Sequence, residues 1–139
     1  MARRSRAESS PAFKAVQFSV ALDNTAGTLA DLCAALRRAR VNIDAVSVTD
    51  NTDCGWVRLI ATPAARARAA LAQAKHTVCA QLVVGIEAQD VPGELERIAR
   101  ALAKAGVNVS YVYGSTVKGQ ASRLYFGLSD VERAIRALS

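Results

Sequence analysis

Two short glycine turns hold the residues whose types and spacing suit chemistry. Residues 24–27 (Asn-Thr-Ala-Gly) and 90–93 (Asp-Val-Pro-Gly) each follow a predicted strand and open a predicted helix. The first N–H groups of a helix lack intrahelical partners and lie at the positive end of its dipole, so such a turn can hold a carboxylate or phosphate. Asn24 and Asp90 occupy equivalent positions, where a side chain caps the helix or bonds the amino group of a ligand. For either turn taken alone, we favour the cap.

The sequence offers little for catalysis or metal binding. It has no Ser/His/Asp or Cys/His constellation, and the single histidine, His76, has no evident partner. Cys33, Cys54 and Cys79 are odd in number and too widely spaced for a CxxC ligand pair, so we predict buried, reduced thiols in a cytoplasmic protein. We therefore predict that the protein is not an enzyme and uses no cofactor or metal.

The net charge of +6 does not by itself indicate nucleic-acid binding. Part of it lies in residues 1–12, predicted to be a disordered basic tail, and the rest is scattered over helix faces. RNA-recognition modules display stacking aromatics on two central strands, whereas aromatic residues are 5% of this chain and irregularly placed. No apolar run approaches the roughly 18 residues of a membrane span. We predict neither a nucleic-acid nor a membrane partner.

The elements that must position the two turns occur twice. Residues 23–44 return 66 residues later as residues 89–110, and seven of the 22 aligned positions are identical. The identities include the turn glycines Gly27 and Gly93 and the helix residues Leu36 and Leu102. The chain is therefore a duplicated domain.

Each repeat has the same predicted order of elements. Apolar residues alternate before the turn, recur at helical spacing after it, and alternate again in a hairpin that precedes a second helix. We predict an α+β fold of two ferredoxin-like βαββαβ units in tandem, with antiparallel sheets and helices on one face. The predicted elements are strands near residues 16–22, 43–50, 56–61, 78–80, 82–86, 109–113 and 122–126, and helices from 29, 64–75, 95 and 130–138.

The junction between the repeats predicts rigid coupling and an open edge. Alternation continues without a break from Val78 to Ile86, so the last strand of unit 1 is predicted to run directly into the first strand of unit 2. We place unit 1 at residues 13–80 and unit 2 at 81–139. Unit 2 lacks its last strand, and the exposed edge must be covered by a partner, the N-terminal tail or charge, which favours a homodimer.

These turns resemble a known family. Asp90-Val-Pro-Gly-Glu-Leu95 with Ala105-Gly-Val-Asn-Val109, and the weaker Asn24-Thr-Ala-Gly-Thr-Leu29 with Arg40-Val-Asn-Ile43, are similar to the (D/N)-x-P-G-x-L and G-(I/V)-N-(I/V) signature of ACT domains. The likeness covers residues from about 13 to 139 and is closest to stand-alone proteins of two ACT units without an attached enzyme.

The resemblance implies a regulatory module that binds an amino acid or similar small ligand at an interface between ACT units and signals to a partner enzyme or regulator. Unit 1 departs from the signature at Ala26, where proline is usual, and at Arg40, where glycine is usual, so it either binds or only supports unit 2. Glu94 would repel a carboxylate in unit 2, so the uncharged Asn24 of unit 1 is equally a candidate for the better receptor of an amino acid's carboxylate. The implied ligand-binding residues are Asn24, Thr25, Ala26, Gly27, Thr28, Asn42, Ile43, Asp44, Asp90, Val91, Pro92, Gly93, Glu94, Asn108, Val109 and Ser110.

The alternative is a protein-pairing scaffold with no small-molecule ligand. It would use the open sheet edge of unit 2 or the strand that carries Tyr111 and Tyr113. A sensor must bind its ligand differently in two states, so the alternatives differ in whether any small molecule changes stability or assembly.

Overall fold

The computed structural model describes residues 12–50, 54–115 and 120–139. It confirms the predicted fold class and the repeated order of elements. None of the helices in these ranges is long and apolar enough to cross a membrane. The elements are β1 (Ala12–Asp23), α1 (Thr28–Arg38), β2 (Asn42–Asp50), β3 (Cys54–Thr62), α2 (Ala64–Gln73), β4 (Thr77–Ala88), α3 (Glu94–Lys104), β5 (Val109–Ser115), β6 (Ser122–Leu128) and α4 (Val131–Leu138).

The chain divides into two compact units. One is Val16–Gln81, and the other joins Leu82–Ser139 to the described residues 12–15. Strand β4 is a single uninterrupted strand across the junction, which confirms the prediction of a shared strand without a linker. Residues 13–15, which the sequence analysis placed in unit 1, lie with the second repeat.

The first unit has strand order β2-β3-β1-β4, with β3 antiparallel to both β1 and β2. The alternating residues of β1 face the helices, because Phe18 and Val20 are completely buried with Leu36 of α1 and Leu71 of α2. Each large apolar side chain buried in this way contributes about 1.5–3 kcal/mol. This core holds α1 against the sheet and so orients the turn at its start.

The second unit repeats this arrangement, with β6 antiparallel to β4 and β5. Val84 and Ile86 of β4 pack with Ile98 and Leu102 of α3 and with Phe126 of β6. Helix α4 closes the core through Ala134 and Leu138.

The start of β1 supplies the strand that the second repeat lacks. In the strand order, β4 lies between β6 and β1, and residues 12–15 of β1 belong to this unit. The Phe13 ring covers Gly85 of β4 and meets Tyr125 of β6 edge-on, with ring centroids 6.2 Å apart. Lys14 forms a salt bridge with Glu132 of α4. The chain's own N-terminal strand therefore lies at the predicted open edge, and that edge no longer argues for a homodimer.

The cysteines differ from the prediction in their exposure. Cys33 is half-buried and Cys79 is exposed, and both are free thiols. Cys79 lies on β4 where side chains alternate between the core and solvent, so its apolar neighbours in sequence did not indicate burial. The side chain of Cys54 lies outside the described residues.

Candidate functional site

Both turns lead into their helices through a left-handed glycine. Gly27 has φ 96° and ψ −17°, and Gly93 has φ 90° and ψ −6°, and each is the N-cap residue of its helix. A Cβ atom at either position would meet nothing within 4 Å, so backbone conformation rather than space favours glycine there. The interpretation of Asn24 and Asp90 as N-cap residues is corrected, since glycine occupies that position in both repeats.

Each turn is held by a hydrogen bond between equivalent positions. In the first repeat, Thr28 Oγ1 donates to the carbonyls of Asp23, at 2.8 Å, and Thr25, at 3.1 Å. In the second repeat, the Glu94 carboxylate accepts from the backbone N–H of Gln89 at 3.3 Å. Positions 23 and 28 correspond to 89 and 94, so the two repeats close the same loop with opposite hydrogen-bond polarity. Each turn is therefore closed by a hydrogen bond within the chain.

The first turn of each helix presents backbone donors that the helix does not use. The first i to i−4 bonds are donated by Asp31 N to Gly27 O and by Arg97 N to Gly93 O, both at 3.0 Å. The N–H groups of the intervening residues, such as Leu29 and Leu95, precede that ladder and lie at the positive end of the helix dipole. This arrangement can hold a carboxylate.

The Glu94 side chain makes more hydrogen bonds than the sequence indicated. Arg97 donates to both Glu94 oxygens, at 2.9 and 3.0 Å, and only 13% of the Glu94 side chain is exposed. The hydrogen bond to Glu94 raises the pKa of Arg97. Because a cation faces this carboxylate, the predicted repulsion of an incoming anion is reduced. Arg97 was missed in the sequence, although its i+3 spacing from Glu94 was available as a signal.

The predicted strand-entry residues lie at an irregularity in both repeats. Register shifts occur between Ile43 and Ala45 on β2 and between Val109 and Tyr111 on β5, so Asp44 and Ser110 are the residues passed over. A β-bulge turns side chains away from the regular alternation and is common beside functional sites.

Hydrogen bonds differ between the two strand entries. Asp44 Oδ1 accepts from Asn42 Nδ2 at 2.6 Å, and its Oδ2 accepts from Thr62 Oγ1 at 3.1 Å. In the second repeat, Asn108 N donates to Ser129 Oγ at 3.0 Å, and Asn108 O accepts from Ser129 N at 3.0 Å. The first entry therefore carries a fixed carboxylate.

Within one unit, the turn and the strand entry are far apart. Each helix has 11 residues between them, which corresponds to about 16 Å at 1.5 Å per residue. The predicted residues thus fall into separate groups at opposite ends of α1 and of α3. A unit by itself does not bring them into one site.

A shallow depression of about 460 Å³ lies beside the strand entry of the first unit. Of the predicted residues, it contains Asn42 and Ile43. Its other lining residues are Cys33, Arg37, Arg40 and Val41. The described residues contain no group of three or more His, Cys, Asp or Glu side chains suited to a metal ion.

Comparisons with known proteins extend these observations. The family model described as "ACT domain pair" matches residues 13–138. The solved structure of the protein BT0572 from Bacteroides thetaiotaomicron is similar at 28% identity and a TM-score of 0.85, over 92% of this chain and 88% of that one. No curated protein sequence matches this chain.

Two further structures share the fold at lower identity. The regulatory subunit of aspartate kinase from Thermus thermophilus, in a ligand-free form, matches with 16% identity and a TM-score of 0.69, over 93% of this chain and 91% of that one. The regulatory subunit of aspartate kinase from Thermus flavus matches with 17% identity and a TM-score of 0.64, over 94% of each chain.

Proposed function

Since this chain belongs to the ACT domain family, in which it is an ACT domain pair, we propose that it is a non-catalytic regulatory protein that binds an amino acid or similar small ligand. One observation carries the proposal: both repeats present unused helix N–H groups behind a left-handed glycine, in a turn closed by its own hydrogen bond. Such a turn suits the α-carboxylate of an amino acid.

The ligand site is proposed to lie between two ACT units. The turn and the strand entry of one unit are separated by the length of a helix, so a ligand that contacts both groups needs the turn of one unit and the strand entry of another. On this proposal, the turns contribute the residues around Gly27 and Gly93, and the strand entries contribute those around Asn42 and Asn108. Both turns remain candidates, because Arg97 offsets the charge of Glu94 in the second.

Exposed apolar residues of the first unit support a homodimer, which would bring the turn of one unit to the strand entry of another. Leu29, Val46 and Val48 of the first unit are 41%, 50% and 56% exposed, although they are large apolar residues. Val46 and Val48 pair in register with the core residues Leu59 and Val57 on an edge strand, so they face the helix side of the sheet without being covered. A second copy would bury them.

The partner is proposed to be an enzyme or regulator in the cytoplasm. Two solved proteins of the same fold are regulatory subunits of aspartate kinase, which supports regulation of a separate enzyme as the proposed role. The free thiols of Cys33 and Cys79 suit a reducing compartment.

A thermal-shift screen against the twenty amino acids, paired with size-exclusion chromatography, tests the proposal. A ligand that binds only the folded state at 100 times its Kd stabilises it by about 2.7 kcal/mol, which raises the unfolding temperature. A selective rise, with or without a change in elution, supports the sensor. A flat panel with an unchanged oligomer would favour the pairing scaffold, for which the half-buried stack of Tyr111 and Tyr113, with centroids 6.3 Å apart, is the remaining candidate surface.

A further inference from the structure

The depression in the first unit has a cationic rim without a matching anion. Arg37 and Arg40 line it, and neither takes part in a salt bridge among the described residues. Its apolar wall is formed by Cys33, Val41 and Ile43, and its volume of about 460 Å³ lies within the range of small-molecule sites. The depression therefore combines apolar surface with two guanidinium groups.

The groups beside the depression are one further guanidinium and one carboxylate. Arg66 of α2 donates to the backbone carbonyl of Arg40 at 2.9 Å, which brings a third guanidinium beside this helix end. Asp44, the carboxylate of the strand entry, is hydrogen-bonded to Asn42 and Thr62 instead of to an arginine.

The second repeat provides an internal comparison. At the positions equivalent to Cys33, Arg37 and Arg40 it has alanine at 99, alanine at 103 and glycine at 106. The cationic rim is thus specific to the first repeat, while Val41 and Asn42 are identical in both.

Arg40 has a left-handed backbone conformation, as glycine does at the equivalent position of the second repeat. Arg40 has φ 59° and Gly106 has φ 75°. Both helices end in the same pattern, in which the next residue, Val41 or Val107, donates to the carbonyl five residues earlier. The left-handed backbone conformation at this position strongly favours glycine, yet the first repeat has arginine there. The side chain is placed at the rim despite the backbone strain.

We infer that this depression binds the side-chain carboxylate of an acidic amino acid, with the α-carboxylate held by the glycine turn of a second ACT unit. The inference rests on the proposed function and names the ligand class for it. Guanidinium groups bind carboxylates through paired, charge-assisted hydrogen bonds, and the apolar wall accommodates the methylene groups between the two carboxylates. The neutral amides asparagine and glutamine lack the charge that the arginines would recognise.

Isothermal titration of the full chain with L-aspartate, L-glutamate and their amides tests this inference. We expect at least a tenfold preference for one acid over its own amide. In Arg37→Gln the preference should fall to less than threefold, with affinity for the amide nearly unchanged. Arg38→Gln is the matched control, because it removes the same charge from the adjacent residue, which lies outside this depression. Arg40→Gly, which restores the residue of the second repeat, should lower the preference without loss of stability.

The outcomes separate this inference from the proposed function. If a neutral or basic amino acid gives the largest shift in the thermal-shift screen, the proposed function stands and the acidic ligand is ruled out. Equal effects of Arg37→Gln and Arg38→Gln would mean that net charge, not the depression, determines the preference, which also overturns the inference. Succinate and inorganic phosphate are titrated in parallel. If only succinate or phosphate binds, and Arg37→Gln abolishes that binding, the depression is an anion site, and the inference of an amino-acid ligand is overturned. Binding of none of these compounds overturns the inference, whereas a flat thermal-shift panel over all twenty amino acids is what overturns the proposed function.

Discussion

Replacement of Phe13 by alanine tests the finding that the N-terminal strand completes the second unit. Phe13 is half-buried, its ring covers Gly85 and meets Tyr125 edge-on, and the Arg123 guanidinium lies 5.7 Å from its centroid. Arg123 is itself held by Glu87, whose hydrogen bond raises the pKa of Arg123. The ring is therefore enclosed by fixed neighbours of the same unit.

The expected loss of stability follows from this burial. Replacement of a fully buried phenylalanine by alanine lowers the free energy of unfolding by about 3–5 kcal/mol. An aromatic pair contributes about 0.5–1.5 kcal/mol to stability beyond the burial of its area. Because Phe13 retains some exposure, we expect about 2–3 kcal/mol, measured by urea unfolding followed by far-UV circular dichroism. Loosening of the strand would also free the edge of β4, so size-exclusion chromatography should show new oligomers.

Val112→Ala is the matched control. Val112 is an apolar residue of the same unit on β5 and is 38% exposed, so its truncation should cost less than about 0.5 kcal/mol. A loss of that small size in Phe13→Ala, with an unchanged elution profile, would refute the view that residues 12–15 act as the last strand of this unit.

Three further predictions concern the turns and helix ends. Arg40→Gly should stabilise the protein by up to about 1 kcal/mol and the reciprocal Gly106→Arg should destabilise it by a similar amount, as measured by urea unfolding, since both positions are left-handed; equal stability of Arg40→Gly and the parent chain would contradict this. Thr28→Val removes the hydroxyl that donates to Asp23 and should cost about 1 kcal/mol in the same assay, and no change would mean that the bond does not order the turn. Gly93→Asp should weaken ligand binding more than the isosteric Gly93→Asn, because both share the strain at φ 90° and only aspartate adds charge; equal titration results would count against an anion at this turn.

The elements could be predicted from local patterns because periodicity reflects burial on one face. The alternation from Val78 to Ile86 predicted the uninterrupted β4, and the spacing around Leu36 and Leu102 predicted helices with buried stripes. The repeat and its signature were sufficient for the family, which the match over residues 13–138 confirms.

The candidate site was only partly accessible in the same way. The glycine turns could be found in the sequence because a left-handed backbone position favours glycine, and both Gly27 and Gly93 adopt that conformation. The bond from Arg97 to Glu94 depends on rotamers, and the bulges at Asp44 and Ser110 depend on how two strands pair, so neither follows from residue types alone.

By itself, the sequence determined which segments are helices and strands, that they occur twice, and that a glycine turn begins each repeat's first helix, because these features depend on neighbours a few residues apart. Tertiary structure decided that residues 12–15 join the second unit and that the Phe13 ring covers Gly85. Strand pairing joins residues that are distant in sequence and is selected by the packing of the whole core, so no local pattern specifies it.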